Sequence, residues 1–115
     1  MDRMRPVAVV ETPEFQTRIA DLMSEEERLL LIDYLAFHPT AGDLVRGTGG
    51  LRKLRWALQG RGKRGGARII YFYFSNEMPL FALTAYAKNE KSDLGVQDWK
   101  ALAGLLKELV KGRKN

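Results

Sequence analysis

Apolar residues recur with helical spacing in the first third of the chain, and this pattern predicts two helices after a short strand. Residues 7–10 form a β-branched run that predicts the strand. Thr12 is then placed to cap a first helix. A second helix follows Ser24, whose three-residue spacing to Glu27 matches a capping box, and it ends before Pro39. Two consecutive amphipathic helices of this kind predict a helical hairpin.

The middle of the chain changes to a period of two, which is typical of β-strands. Residues 41–50 predict a loop, and residues 51–58 then alternate between polar and apolar side chains. In that strand Lys53 and Arg55 face one side, while the apolar residues face the other. Residues 59–66 are rich in glycine and basic residues, so they predict a hairpin loop.

Aromatic residues alternate along the next predicted strand, residues 67–75. Phe72 and Phe74 face one side, and we expect both in the core. Tyr71 and Tyr73 face the other side, where they either stack on nucleic-acid bases or pack as half-buried strand tyrosines. The sequence favours neither alternative for the tyrosines.

The last third of the chain predicts one more strand and a final helix. The strand covers residues 80–88, and residues 92–98 connect it to the helix. The element order β-α-α-β-β-β-α predicts an α+β fold in which an N-terminal helical hairpin packs on a small, mostly antiparallel sheet. We expect a single domain over residues 1–115. The helix is amphipathic, with its apolar stripe formed by Trp99, Leu102, Leu105, Leu106 and Leu109.

Composition removes several classes of function. The 115 residues contain no cysteine and one histidine, so disulfides, cysteine-based metal sites and histidine-rich metal sites are excluded. We expect neither a cofactor nor a metal. No signal peptide is evident, and no apolar run approaches the roughly 20 residues that span a bilayer. These features predict a cytoplasmic protein that does not associate with a membrane.

The basic charge of the chain is concentrated in one region. Between Leu44 and Asn76 lie eight basic and no acidic residues, whereas the rest of the chain carries 11 basic and 14 acidic residues. A local excess of this kind predicts a polyanion-binding surface, and nucleic acid is the commonest such partner. The eight residues are Arg46, Arg52, Lys53, Arg55, Arg61, Lys63, Arg64 and Arg68.

Three of these cations are predicted to converge. Lys53 and Arg55 lie about 7 Å apart on one strand face, and Arg68 opens the neighbouring strand. A solvated strand face is the alternative, but eight cations without an acid favour nucleic-acid binding. The glycine-rich loop lacks the ending of a P-loop and the helix that follows one, so we interpret it as a basic hairpin tip. His38 lies at a helix end, which favours a helix C-terminal interaction over catalysis.

Motifs in this basic region and after it resemble a known family. GTGGLRK, GKRGG-x-R and Y-x-KNE occur in that order, within a matching stretch of residues 42–94. This pattern resembles the HigB-type branch of the RelE/ParE toxin superfamily. The resemblance implies the toxin of a type II toxin–antitoxin pair, a ribosome-dependent mRNA endonuclease that works without metal by attack of the ribose 2′-hydroxyl. The implied partners are the ribosome, mRNA and a cognate antitoxin, which we expect to be a helix-turn-helix protein encoded by the adjacent gene.

The resemblance also assigns site residues. It implies catalytic roles for Lys53, Arg55, Arg68 and Lys88, with Arg68 holding the scissile phosphate. The family's arginine after the lysine of this motif is replaced by Asn89, and a later family tyrosine is replaced by Gly95. The general acid and base therefore stay unassigned. Contacts with RNA or the ribosome are expected for Arg52, Arg61, Lys63, Arg64, Tyr71, Tyr86 and Asn89.

Two other functions fit the same sequence. A gyrase-binding inhibitor of the ParE type would use the same fold without catalysis. A non-catalytic RNA-binding domain would show affinity that falls steeply with salt and no toxicity. Convergence of three cations on neighbouring strands favours the nuclease over the gyrase inhibitor.

Overall fold

The computed structural model of the protein describes residues 5–58, 66–90 and 93–113. The predicted order of helices and strands is confirmed, with one addition: a two-residue strand within the segment that was predicted to be entirely loop. The elements are β1 (Val9–Glu11), α1 (Pro13–Leu22), α2 (Glu25–Phe37), β2 (Asp43–Leu44), β3 (Leu51–Trp56), β4 (Ala67–Phe72), β5 (Leu80–Ala87) and α3 (Val96–Arg113).

The five strands form one sheet in the order β1-β5-β4-β3-β2. The β2–β3, β3–β4 and β4–β5 pairs are antiparallel, and only β1 pairs with its neighbour β5 in parallel. The expectation of a mostly antiparallel sheet is therefore confirmed. The strands β3 and β4 follow each other directly in the chain, so the predicted basic strand and aromatic strand lie side by side at the centre of the sheet.

The helical hairpin forms as its capping residues predict, and it covers one face of the sheet. The Thr12 side chain accepts a hydrogen bond from the Phe15 N–H at 3.1 Å, and Ser24 and Glu27 form both bonds of a capping box. These bonds pair N–H groups that have no partner within the helix. Buried residues of both helices, Phe15, Ile19, Leu22, Leu31 and Leu35, pack with Leu54, Ile69 and Tyr71 of the sheet.

The C-terminal helix α3 packs on the opposite face. Its Leu102 and Leu106 are buried in a second core cluster that includes Leu51 of β3, Ile70 and Phe72 of β4, and Phe81 and Leu83 of β5. The predicted apolar stripe of α3 is confirmed, because its members form this packing surface. The sheet consequently lies between two helical layers. No helix in the described ranges is long and apolar enough to cross a membrane.

One core prediction is wrong. Phe72 is buried, but Phe74 has 70% of its surface exposed. The reason is that β4 ends at Phe72, two residues earlier than the aromatic run suggests. Beyond that point the chain leaves the sheet, so the alternation of faces that places Phe72 in the core no longer applies to Phe74.

Candidate nucleic-acid interface

Three side chains from three neighbouring strands form a row across the sheet. Arg55 of β3 is paired directly with Arg68 of β4, and Arg68 is paired directly with Tyr86 of β5. Residues that pair directly across antiparallel strands project from the same face. The row lies near the end of β3, the beginning of β4 and the end of β5, on the face that α3 covers only in part. We call this row the cationic row.

Lys53 joins the same face because it precedes Arg55 by two residues on β3. The structure thus brings Lys53, Arg55 and Arg68 together, as the alternation predicted. Lys53 and Arg68 are half-buried, while Arg55 is exposed. Their common face is a structural result, and the chemical role of each remains a prediction.

Beside the cationic row lies an open groove of about 680 Å³. Arg55, Arg68, Lys88 and Asn89 line it, and Trp56 is part of its wall. The backbone N–H of Lys88 donates to the Gly66 carbonyl at 2.9 Å, which ties the end of β5 to the residue that precedes β4. The predicted residues Lys88 and Asn89 are both exposed at this edge.

Tyr86 forms the buried end of the cationic row. Only 1% of its surface is exposed, and its hydroxyl donates to Asp93 Oδ1 at 3.3 Å. Burial, and after it the nearby Asp93 carboxylate, raise the pKa of Tyr86 to about 12. At neutral pH the side chain is therefore a neutral phenol, and its proton is donated to Asp93. The prediction that Tyr86 contacts RNA needs correction, because a side chain this deeply buried cannot reach a bound RNA.

Asp93 is a site residue that the sequence did not single out. Its Oδ1 accepts from Lys53 Nζ at 3.3 Å and from the Leu94 N–H at 2.8 Å, in addition to Tyr86. Partial burial opposes ionisation, but the Leu94 N–H and the Lys53 ammonium together hold the pKa of Asp93 below its usual value. A carboxylate therefore neutralises part of the basic surface.

The sequence tract before α3 contains two acids, and no local signal distinguishes them. Glu90 turns towards α1, where its Oε1 accepts from the Ala87 N–H at 3.2 Å and lies 3.9 Å from an Arg18 nitrogen. Asp93 turns towards Lys53 instead.

The predictions for Tyr71 and Arg52 need correction. These two residues are paired with each other across β3 and β4, one position away from Lys53, and so they face the helical hairpin. Tyr71 is fully buried, and its hydroxyl donates to the Pro39 carbonyl and accepts from the Gly42 N–H, both at 2.8 Å. A buried ring cannot stack on a base, so Tyr71 has a structural role.

Arg52 binds the segment between α2 and β2, which also contains the Pro39 and Gly42 partners of Tyr71. Its Nη1 donates to the Gly42 carbonyl at 2.7 Å and to the Thr40 carbonyl at 3.3 Å. A side chain at position 42 would also be excluded, because a Cβ there would lie 2.9 Å from the Tyr71 hydroxyl. Arg52 and Tyr71 together hold the segment before β2 against the sheet, away from the cationic row.

The remaining predicted positions divide into two groups. Arg61, Lys63 and Arg64 belong to residues 59–65, which lie outside the described residues. His38 is the C-terminal cap residue of α2, and its ring centroid lies 4.6 Å from that of Tyr34. Across residues 5–58, 66–90 and 93–113, no group of three or more His, Cys, Asp or Glu side chains could hold a metal ion.

Comparison with known proteins identifies the architecture. No family model matches the chain. A solved structure of the E. coli toxin RelE, a mutant with two arginines changed to alanine in its free state, is similar with a TM-score of 0.55. The chain has a RelE-like fold. The similarity covers 76% of this chain and 88% of the RelE chain at 13% sequence identity, so it concerns the fold of RelE and does not identify the HigB-type branch.

Proposed function

We propose that the protein is the toxin of a toxin–antitoxin pair and that it cuts mRNA on the ribosome. The observation that carries this proposal is the cationic row, in which Arg55 and Arg68 are directly opposed with Lys53 on the same face. The RelE-like fold and the three sequence motifs agree with it. Two opposed guanidinium groups present several N–H donors to one small area, which suits a phosphodiester.

The proposed reaction is an internal transfer within the RNA. The ribose 2′-oxygen attacks the adjacent phosphorus and loses its proton, while the bond from phosphorus to the 5′-oxygen breaks and that oxygen gains a proton. The products are a 2′,3′-cyclic phosphate and a free 5′-hydroxyl. Negative charge builds on the phosphate oxygens in the transition state, so the principal demand on the protein is a set of fixed cationic donors.

The side chains divide this work by position. Arg55 and Arg68 are placed to hold the phosphate oxygens from neighbouring strands. Lys53 adds a third cation on the same face, and Lys88 extends the positive surface along the groove. Tyr86 lies next to Arg68 but is buried, and its hydroxyl already donates to Asp93, so we assign it a supporting role beneath the row and no direct contact with RNA.

The proposed partners follow from the same surface. A groove open to solvent with cations at one side accommodates a single RNA strand, while the basic residues Arg61, Lys63 and Arg64 are proposed to contact ribosomal RNA. The antitoxin is proposed to be a helix-turn-helix protein encoded by the adjacent gene.

Controlled expression of the wild type, Arg68→Ala and Arg46→Ala tests this function. Arg46 is an exposed arginine of the loop between β2 and β3, so its variant removes one positive charge outside the cationic row. We expect growth arrest and new mRNA 5′ ends with the wild type and Arg46→Ala, and neither with Arg68→Ala. The new ends should carry hydroxyl groups, which need phosphorylation before ligation.

Purified ribosomes with a defined mRNA provide the second arm. Cleavage should need the ribosome and should persist when a chelator removes free divalent ions beyond those the ribosome requires. Growth arrest without new 5′ ends, or full cleavage by Arg68→Ala, would contradict the proposal. Inhibition of DNA supercoiling by purified protein would replace it with the gyrase hypothesis.

A further inference from the structure

Three hydrogen-bond donors converge on one oxygen of Asp93, within the basic surface itself. They are the Lys53 ammonium and the Tyr86 hydroxyl, each at 3.3 Å, and the Leu94 N–H at 2.8 Å. The carboxylate thus contacts two members of the face on which RNA is proposed to bind. A phosphate oxygen that approached Lys53 would compete with Asp93 Oδ1 for the same ammonium.

We infer that Asp93 is an internal counter-ion, which neutralises Lys53 in the free protein and competes with a phosphate of RNA for its ammonium. The inference rests on the proposed function only for the identity of the polyanion as RNA. An ammonium accepts a carboxylate or a phosphate oxygen at similar distance, so the two anions compete for one cation. Asp93 therefore sets how much of the positive charge of the site is available.

The strength of the contact is suited to exchange. The side chains of Lys53 and Asp93 are 30% and 52% exposed, so water and salt screen their attraction. Ion pairs of this exposure are weak, so breaking one costs little free energy. The resulting competition should reduce affinity for RNA by about two- to fivefold, which corresponds to the usual strength of such pairs.

Glu90 provides a matched control. It lies three residues before Asp93, carries the same charge and has its side chain 57% exposed, but its carboxylate faces Arg18. Replacing either acid by its amide changes the net charge of the protein equally. Only Asp93→Asn removes the competitor of Lys53, and the amide oxygen it leaves can still accept from the Leu94 N–H.

The experiment measures binding to a short single-stranded RNA whose 2′-hydroxyls are all methylated, so that it cannot be cleaved. Fluorescence anisotropy at a series of salt concentrations gives the affinity of the wild type, Asp93→Asn and Glu90→Gln. We expect Asp93→Asn to bind about two- to fivefold more tightly than Glu90→Gln at low salt. Its plot of log affinity against log salt should be steeper by about 0.7, because one more cation becomes available to phosphate.

A second background tests whether the effect passes through Lys53. In Lys53→Met protein, the change Asp93→Asn should give no more affinity than Glu90→Gln does, since no ammonium remains to be released. Asp93→Ser replaces Asp93→Asn if the latter has a lower melting temperature than the wild type. A steeper salt dependence is not expected from a purely structural role of Asp93.

Several outcomes would overturn the inference. These are equal affinities of Asp93→Asn and Glu90→Gln, weaker binding by Asp93→Asn, an unchanged salt slope, a gain that survives in Lys53→Met, or no binding by any variant. Because the RNA cannot be cleaved and no ribosome is present, these results do not depend on nuclease activity. Failure of the proposed function is detected separately, by the absence of new mRNA ends.

Discussion

Arg55 and Arg68 are direct cross-strand partners, so two positive side chains face each other on the same side of the sheet. Like charges in this arrangement repel and lower the stability of the sheet. An anion bound between the side chains would relieve the repulsion, which agrees with the proposed binding of a phosphate. A site that costs stability in the absence of its ligand is typical of functional surfaces.

The first prediction is that Arg68→Gln stabilises the protein while it strongly lowers the rate of mRNA cleavage. Removing one member of the opposed pair should raise the free energy of unfolding by roughly 0.2–1 kcal/mol at low salt. Loss of a donor to the transition-state phosphate should lower cleavage by about 100-fold or more. Urea denaturation and ribosome-dependent cleavage are the measurements, with Arg46→Gln as the control for net charge. A less stable Arg68→Gln protein would contradict the repulsion.

The second prediction concerns the pH dependence that Tyr86 imposes on stability. Its pKa rises from 10.0 in a free tyrosine to about 12 in the folded protein, so folding favours the neutral phenol. The associated stabilisation is complete below pH 10 and is lost as the pH rises towards 12. Wild-type protein should therefore lose stability over this range.

Tyr86→Phe tests the sign of this linkage, because phenylalanine has no proton to lose. Its free energy of unfolding should fall less between pH 10 and pH 12 than that of the wild type. Tyr73→Phe is the control, since the Tyr73 hydroxyl lies in an exposed contact with Asn76. A parallel decline of stability in Tyr86→Phe and the wild type would show that Tyr86 does not titrate there.

The third prediction separates the structural tyrosine from the basic surface. Tyr71→Phe leaves the Gly42 N–H and the Pro39 carbonyl without their partner, and the free energy of unfolding should fall by about 1–3 kcal/mol. RNA affinity measured well below the melting temperature should stay at the wild-type value. Weaker RNA binding by folded Tyr71→Phe protein would contradict a purely structural role of the hydroxyl and would show that the segment it holds belongs to the RNA-binding surface.

Features that depend on neighbours in sequence were predictable. The caps at Thr12 and Ser24 bond to residues three positions away, so the pattern of side chains contains the whole interaction. The shared face of Lys53 and Arg55 likewise follows from the pleat of one strand. The pairing of Arg55 with Arg68 needed one further assumption, that β3 and β4 form a hairpin.

Features that depend on distant contacts were not predictable. Asp93 reaches Lys53 across 40 positions of sequence, and Tyr71 reaches the Pro39 carbonyl across 32. The sequence alternates in the same way around a strand tyrosine whether that side of the strand is covered by a helix or exposed to solvent. The strand Asp43–Leu44 gave no signal either, because two residues are too few to show a period.

The last prediction tests where β4 ends. Phe72 is buried beneath α3 with Phe81 and Leu106, whereas Phe74 lies beyond the strand and contacts Phe72 with ring centroids 6.5 Å apart. Phe72→Ala should lower the free energy of unfolding by about 3–5 kcal/mol, because it leaves a cavity in the core. Phe74→Ala should cost no more than about 1 kcal/mol, the value of an exposed aromatic contact. Urea denaturation of the two variants gives the comparison, and equal losses would mean that the strand extends through Phe74 into the core.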